Sequence, residues 1–443
     1  MTELPASSAD AAPDRMILRI VAGFAAAFVV FGFMVDTPAG LARGLLAILT
    51  SRDTLLTDYF GVGGIGAGCV NAGLVTLCAC YVYHAAGAKM TGASVACLFL
   101  VLGFALFGKN LLNVWPIVAG VYLYARFKGD PFATHINTAF FGLALAPIFS
   151  EILFSTTLPL AVSLPLGLVT ALVIGFVLAP AAAQVFKAHM GFSLYNMGFT
   201  AGLVGTLVVA IYKGYGFVPD PVFIWTAGNN VLLGAFLSAL FVAMVAAGFW
   251  LDRGVVPGLR KIAATSGQAP TDFIARAGLG ATLANMGLCG AIGMAYVLAV
   301  GGDLNGPVIG AIFTIVGFAA FGKHPRNLIP IILGVFLGTL WKPWSAHDSS
   351  LLLAALFGTT LAPIAGRFGW RWGVVAGIVH ASAVQTVGPL HGGLNLYNNG
   401  FAAGIVATVL VPIILAIRSR TEEDADVDAG AAPPAASPSS RED

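Results

Sequence analysis

The chain repeats itself. The stretch GFALFGKNLLNVWPIVAGV at 103–121 returns as GFAAFGKHPRNLIPIILGV at 317–335, with 11 of 19 positions identical. HMGFSLYNMGFTAG at 189–202 returns as HGGLNLYNNGFAAG at 391–404, with 9 of 14 identical. Shorter matches keep the same order: Thr57-Asp58-Tyr59-Phe60 with Thr271-Asp272-Phe273-Ile274, Asn71-Ala72-Gly73-Leu74 with Asn285-Met286-Gly287-Leu288, and Leu145-Ala146-Pro147-Ile148 with Leu361-Ala362-Pro363-Ile364. Matches in one order mean duplication of a whole unit, so one architecture must be built twice.

Hydropathy says what that unit is. Apolar segments lie at 16–35, 59–84, 92–107, 111–126, 136–155, 158–184 and 193–213. They recur at 219–250, 273–299, 305–321, 327–341, 349–365, 371–387 and 393–417. A membrane helix needs about 20 such residues. Hydrophobic residues make up 58% of the chain and charged ones 9%, against roughly 25% charged in a soluble domain. The expected fold is an all-α integral membrane protein of two homologous repeats, 15–215 and 216–418, with about 10 to 14 transmembrane segments. The third and fourth segments of each half are short and flank a polar turn, FGKN at 107–110 and FGKH at 321–324. Each short pair (92–126 and 305–341) is either a re-entrant hairpin or two tilted spans.

Either way each half crosses an odd number of times, so the halves lie in opposite orientations, the plan of many transporters and channels. With the N-terminus inside, only Arg43, Arg52, Lys109, Lys213 and Lys342 among the 22 Lys and Arg fall outside. That bias puts both termini in the cytoplasm of a bacterial cell, with the body in the inner membrane. Residues 1–14 and the acidic 419–443 are too polar to form a core and read as disordered cytoplasmic tails. The first stretch, 16–35, reads as a retained span rather than a cleaved signal. A net charge of +2 gives no footing for nucleic acid. The five cysteines sit in apolar stretches without ligand spacing, so no metal and no cofactor are expected. The partners expected are the lipid bilayer and a small-molecule solute, and the plan is compatible with a homo-oligomer.

Polar groups inside a membrane are costly, so those present in both halves are functional candidates. The first set is His189, Tyr195 and Asn196 with His391, Tyr397 and Asn398. Two Asn facing each other across a pseudo-twofold axis would make a polar ring at the midplane; alternatively the glycines pack helices, Tyr and Asn tie one helix to the next, and the His are interfacial. The second set is Lys109 and Lys323 in the FGK turns. They either meet an anionic solute or a helix C-terminus inside the membrane, or reach the headgroups. The third is Asn71 and Asn285 in glycine-rich stretches that line a cavity, bind a cation or simply pack. Glu151, Asp36 and Asp303 lie near span ends, leaving few buried carboxylates for a proton carrier.

The segments GFSLYNMGFTAG and GGLNLYNNGFAAG resemble the Tyr-Asn and glycine pattern of bacterial urea transporters, over about 13 residues per half. That resemblance implies a channel-like path for small neutral polar solutes with Asn196 and Asn398 near it. The FGK turns are not part of that pattern. The full-length arrangement looks like a bacterial and archaeal family of tandem-repeat membrane proteins with no assigned function. The leading expectation is a channel or facilitator for a small polar solute, and the second an ion-coupled transporter of a small, anionic metabolite. A membrane enzyme using His189 or His391 ranks last, because no positioned partner for a general base is visible, and no catalytic residue is expected.

Overall fold

The computed structural model describes residues 11–154, 158–219 and 221–428. The first unit contains α1 (Ala11–Val35), α2 (Pro38–Leu49), α3 (Tyr59–Ala85), α4 (Gly92–Phe104), α5 (Trp115–Lys128), α6 (Phe132–Phe141), α7 (Ala146–Phe154), α8 (Leu160–His189) and α9 (Asn196–Gly214). The second contains α10 (Asn230–Leu251), α11 (Val255–Ala263), α12 (Phe273–Ala277), α13 (Leu279–Ala299), α14 (Gly306–Phe318), α15 (Pro325–Thr339), α16 (Ser349–Phe357), α17 (Ala362–Phe368), α18 (Trp370–Val387) and α19 (Asn398–Asp428). The two series match element by element, once α3 is divided at Gly64 (φ 88°) as α12 and α13 are at Gly278 (φ 86°). A two-residue parallel pairing, β1 (Leu56–Thr57) with β2 (Phe223–Ile224), ties the loop before α3 to the segment joining the repeats.

Ten helical stretches among the described residues are long and apolar enough to cross a membrane. Their outward faces carry large exposed apolar side chains such as Phe33, Leu207, Val231 and Trp250, as lipid contact requires. The short pairs are half-length helices. α4 and α14 have 13 residues each, α5 has 14 and α15 has 15. At 1.5 Å per residue each rises about 20 Å, short of the roughly 30 Å of hydrocarbon.

α4 and α14 form the centre. Every residue of α14 is buried, and every residue of α4 but Ala93. This explains their almost wholly apolar sequence, for a helix covered on all sides has no polar face; the hydroxyls of Ser94 and Thr314 donate to the Lys89 and Gly310 carbonyls. They cross where a Cβ on Gly103 would come within 2.7 Å of the Gly310 carbonyl oxygen, and one on Gly317 within 3.0 Å of that of Ala96. Only glycine lets the backbones meet so closely. The N-termini of both helices are held across the repeats. Asp58 Oδ1 accepts from Gly306 N (3.1 Å) and Asp272 Oδ2 from Gly92 N (3.0 Å). These are the aspartates of the repeated Thr-Asp motif.

The boundaries differ in three places. The segment 219–250 does not open as helix: Pro219 and Pro221 keep its start extended, and α10 begins at Asn230. Helices α2 and α11 were not anticipated, being short and rich in Gly, Pro and Arg. α1 begins inside the expected N-terminal tail and α19 runs into the expected C-terminal one, so part of each is helical. Residues 1–10 and 429–443 lie outside the described residues.

Candidate functional site

Interrupted helices converge on the centre. Between α6 and α7 the chain tightens into a 3-10 turn at Gly142–Leu145, and between α16 and α17 into another at Gly358–Leu361. α8 ends at a left-handed pair, Met190 (φ 51°) and Gly191 (φ 78°); the matching pair after His391 is Gly392 (φ 59°) and Gly393 (φ 72°). The chain beyond each break reaches across to the other repeat's 3-10 turn. Leu194 N donates to Thr360 O (3.1 Å) and Leu396 N to Ala144 O (3.0 Å). α9 and α19 then cross at Gly198 and Gly400, where a Cβ on the first would lie 2.8 Å from the Cα of the second.

The two Asn therefore do not form a polar ring on the axis; the glycines two residues on occupy it. Asn196 borders the cavity between the repeats and Asn398 does not, but both turn their amides back into their own repeats. Asn196 Oδ1 lies 2.9 Å from His189 Nε2, and its Nδ2 donates to Ala182 O (3.0 Å). Asn398 does the same with His391 (2.9 Å) and Val384 O (3.4 Å). Both His are buried, not interfacial, and these four residues splice one helix to the next across each break.

The FGK turns are interior. Lys109 and Lys323 are fully buried, which overturns the headgroup reading. Each lysine bonds to the tyrosine of the other repeat. Lys109 Nζ donates to Tyr397 Oη (2.6 Å), and Lys323 Nζ donates to Tyr195 Oη and to Thr359 Oγ1 (2.8 Å). Each ammonium also faces aromatic rings: Lys109 lies 4.8 Å from the centroids of Phe104 and Tyr397, and Lys323 lies 4.5 Å from Tyr195 and 5.4 Å from Phe318. Neither has a carboxylate partner among the described residues. Asn71 and Asn285 hold these turns. Their Nδ2 groups donate to Ala105 O (2.7 Å) and Lys109 O (2.9 Å), and to Ala319 O and Lys323 O (both 2.8 Å). They serve the turn and line no part of the central cavity.

That cavity, about 230 Å3, lies between the repeats. Phe104, Tyr195 and Phe141 from one repeat face Phe318, Tyr397 and Phe357 from the other. The lysines stand behind this aromatic wall. The cavity is lopsided. It extends past Asn137, Thr138, Phe186 and Phe321, which are half-buried. Of their repeat counterparts, Leu353, Ala354 and Phe107 are buried, and none of the four lines it.

Several polar groups have no counterpart in the other repeat, so a search for shared residues passes over them. Asp53 is fully buried. It accepts from Tyr59 Oη (2.9 Å), Ser51 Oγ (3.1 Å), Asn113 Nδ2 (3.0 Å) and Asn110 Nδ2 (3.3 Å). Burial pushes its carboxyl up to about 6 against the lowering effect of hydrogen bonds from Ser150, Tyr59, Ser51 and Asn113. Glu151, expected near a span end, is buried and paired with Arg52 at 2.6 Å. Two further asparagines, Asn137 and Asn399, line the cavity. Their partners are the buried Tyr83 (Oη to Asn137 Oδ1, 2.6 Å) and His380 (Nε2 to Asn399 Oδ1, 3.1 Å).

The family described as "Protein of unknown function (DUF1576)" matches the chain over residues 37–214 and 251–416, one region in each repeat. Among curated proteins and among solved structures, none matches. The likeness of the Tyr-Asn segments to urea transporters therefore rests on those residues alone.

Proposed function

The chain belongs to the DUF1576 family, whose function is unassigned, and from that premise we propose that it is a transport protein that carries a small solute through the cavity between its inverted repeats. One observation carries this reading: a cavity built by broken helices from both repeats and widened toward one side alone. Inverted-repeat transporters bind near the midplane among discontinuous helices and expose the site to each face in turn. Two symmetric lysine–tyrosine contacts join the repeats. Their making and breaking would let one repeat rock against the other.

A channel for neutral polar solutes, the first expectation from sequence, needs a continuous polar path. The aromatic wall favours the second expectation, a carrier. Ion coupling belongs to this reading, and so do an inner-membrane location with both termini cytoplasmic and the absence of a catalytic step.

The test is uptake into proteoliposomes of a panel of amides, polyols, amino acids and carboxylates, with and without proton or sodium gradients. Wild-type protein is expected to accelerate one class. Lys109→Met with Lys323→Met is expected to slow that uptake by at least about tenfold, the effect of losing about 1.4 kcal/mol, while elution as a folded protein is kept. No acceleration for any class would overturn the transport reading.

A further inference from the structure

The amide chemistry of the cavity says more about its occupant than the repeat symmetry does. Asn137 and Asn399 come from opposite repeats, on α6 and α19, and both line the cavity. Their repeat counterparts are apolar, Leu353 and Met197, so symmetry does not explain them. Each has its carbonyl oxygen occupied from behind by a buried donor. Tyr83 Oη, fully buried, donates to Asn137 Oδ1. His380 Nε2 meets Asn399 Oδ1, while His380 Nδ1 is buried with no partner.

That vacancy fixes the tautomer. A proton on Nδ1 would be a buried N–H with no acceptor, which costs more than an idle lone pair. The proton therefore sits on Nε2 and goes to the Asn399 carbonyl. In both asparagines this leaves the NH2 group as the free end. Neither Nδ2 has a hydrogen-bond partner among the described residues. The cavity thus offers two free amide donors, one from each repeat, among aromatic and aliphatic side chains; of its other polar side chains, Ser193, Asn196 and Thr314 are engaged with protein partners and Thr138 adds a hydroxyl.

Among the described residues no Asp or Glu lines the cavity, while Lys109 and Lys323 stand directly behind its rings without carboxylate partners. A water-poor interior disfavours the charged form of a lysine and an anion nearby restores it, so an anionic occupant is the one that these two side chains answer with charge. An acceptor is favoured and a cation opposed. Size narrows the class further. A 150 Å3 apolar cavity is about the space that takes benzene, so about 230 Å3 holds a ring or a branched aliphatic group with a small head.

We propose that this cavity is a binding site for a small organic monocarboxylate with an apolar body, of the size of benzoate or phenylacetate, whose carboxylate accepts hydrogen bonds from Asn137 and Asn399. The inference rests on the transport reading only for its purpose; binding is measurable without flux.

Isothermal titration of the purified full-length protein in nanodiscs tests it, using benzoate, phenylacetate and 4-methylpentanoate against benzamide, benzyl alcohol and benzylamine. The carboxylates are expected to bind at least about tenfold tighter than their neutral and cationic analogues. Asn399→Met, which copies the other repeat, is expected to weaken benzoate at least about tenfold and leave any benzyl alcohol binding within about twofold. Asn399→Asp keeps the shape but replaces the NH2 donor with an acceptor oxygen and adds a negative charge; it is expected to abolish benzoate binding and admit benzylamine. Benzyl alcohol binding wild type as tightly as benzoate, or benzoate affinity unchanged in both variants, would overturn the proposal. Benzoate binding without flux of any solute would sink the transport reading alone. Flux of another solute class without carboxylate binding would sink this proposal alone.

Discussion

A buried amide can serve a ligand or serve the backbone, and its partners tell which. Asn196 and Asn398 spend both ends on their own repeat, on a His and on a helix carbonyl. Truncating Asn398 to Ala strips the Val384 carbonyl and the His391 ring of a partner inside a closed interior. Such a loss costs about 1–3 kcal/mol per orphaned group. The expected outcome is a lower melting temperature in detergent, of similar size for Asn196→Ala. An unchanged melting temperature with lost ligand binding would instead return these residues to the binding site. Asn137 and Asn399 are the opposite case, with one end anchored and one end free. Sequence could place the first pair, since they recur, but not the second. Nothing in NMGFT or NNGFA marks Asn399 as different from a capping amide until His380, 19 positions away in the sequence, is seen behind it.

At the scale of elements, the glycine crossings decide how the halves fit. A Cβ on either Gly198 or Gly400 would fall at about the same point, 2.8 or 2.9 Å from the other's Cα. Gly198→Ala alone must therefore push α9 and α19 apart. Once they are apart, Gly400→Ala meets less resistance. The two losses are expected to be sub-additive by about 0.5 kcal/mol or more, as coupled neighbours are. Urea or thermal melts of both single variants and the double variant in detergent measure this; strict additivity would mean that the crossing is not a shared contact. Much at this scale was legible beforehand. Duplication and span positions follow from repeated residues and hydropathy, whereas the depth of the FGK turns stood open between headgroups and interior until Lys109 and Lys323 were seen buried. The shortness of α4 and α5 was visible, but whether the pair turns back or crosses was open, because an apolar run of that length suits a buried core helix or a re-entrant segment alike. The headgroup alternative for Lys109 failed because a lone lysine reads as soluble surface unless its Tyr397 partner, 288 positions away, is known. Asp53 escaped notice for the same reason. Two of its donors, Asn110 and Asn113, come from a turn 57 and 60 residues on, and removing the carboxylate by Asp53→Ala is expected to loosen that turn and cost about 1–3 kcal/mol for each donor left bare.

For the whole molecule, the proposed transport through two homologous repeats in one asymmetric arrangement calls for a second arrangement with the roles exchanged. Thr138 lines the cavity and is half-buried; its counterpart Ala354 is buried and away from it. The exchange is directly measurable with single cysteines at these two positions. The native background is favourable, since of the five free cysteines Cys78 alone is not fully buried and can be replaced by Ala first. Thr138→Cys is expected to react with a membrane-impermeant maleimide from one face of a proteoliposome, and Ala354→Cys to stay silent at rest. When solute is supplied on both sides, turnover populates the other arrangement; Ala354→Cys should then become reactive from the opposite face as the Thr138→Cys rate falls. A fixed pore predicts something else: both sites reactive or unreactive together, with rates indifferent to solute except for simple blocking. The distinction is thermodynamic. A solute shifts the balance between the two arrangements only by its difference in affinity for them, so the size of the two rate changes measures that difference. Opposite changes at the two cysteines therefore report exchange between two states, which a static path cannot produce.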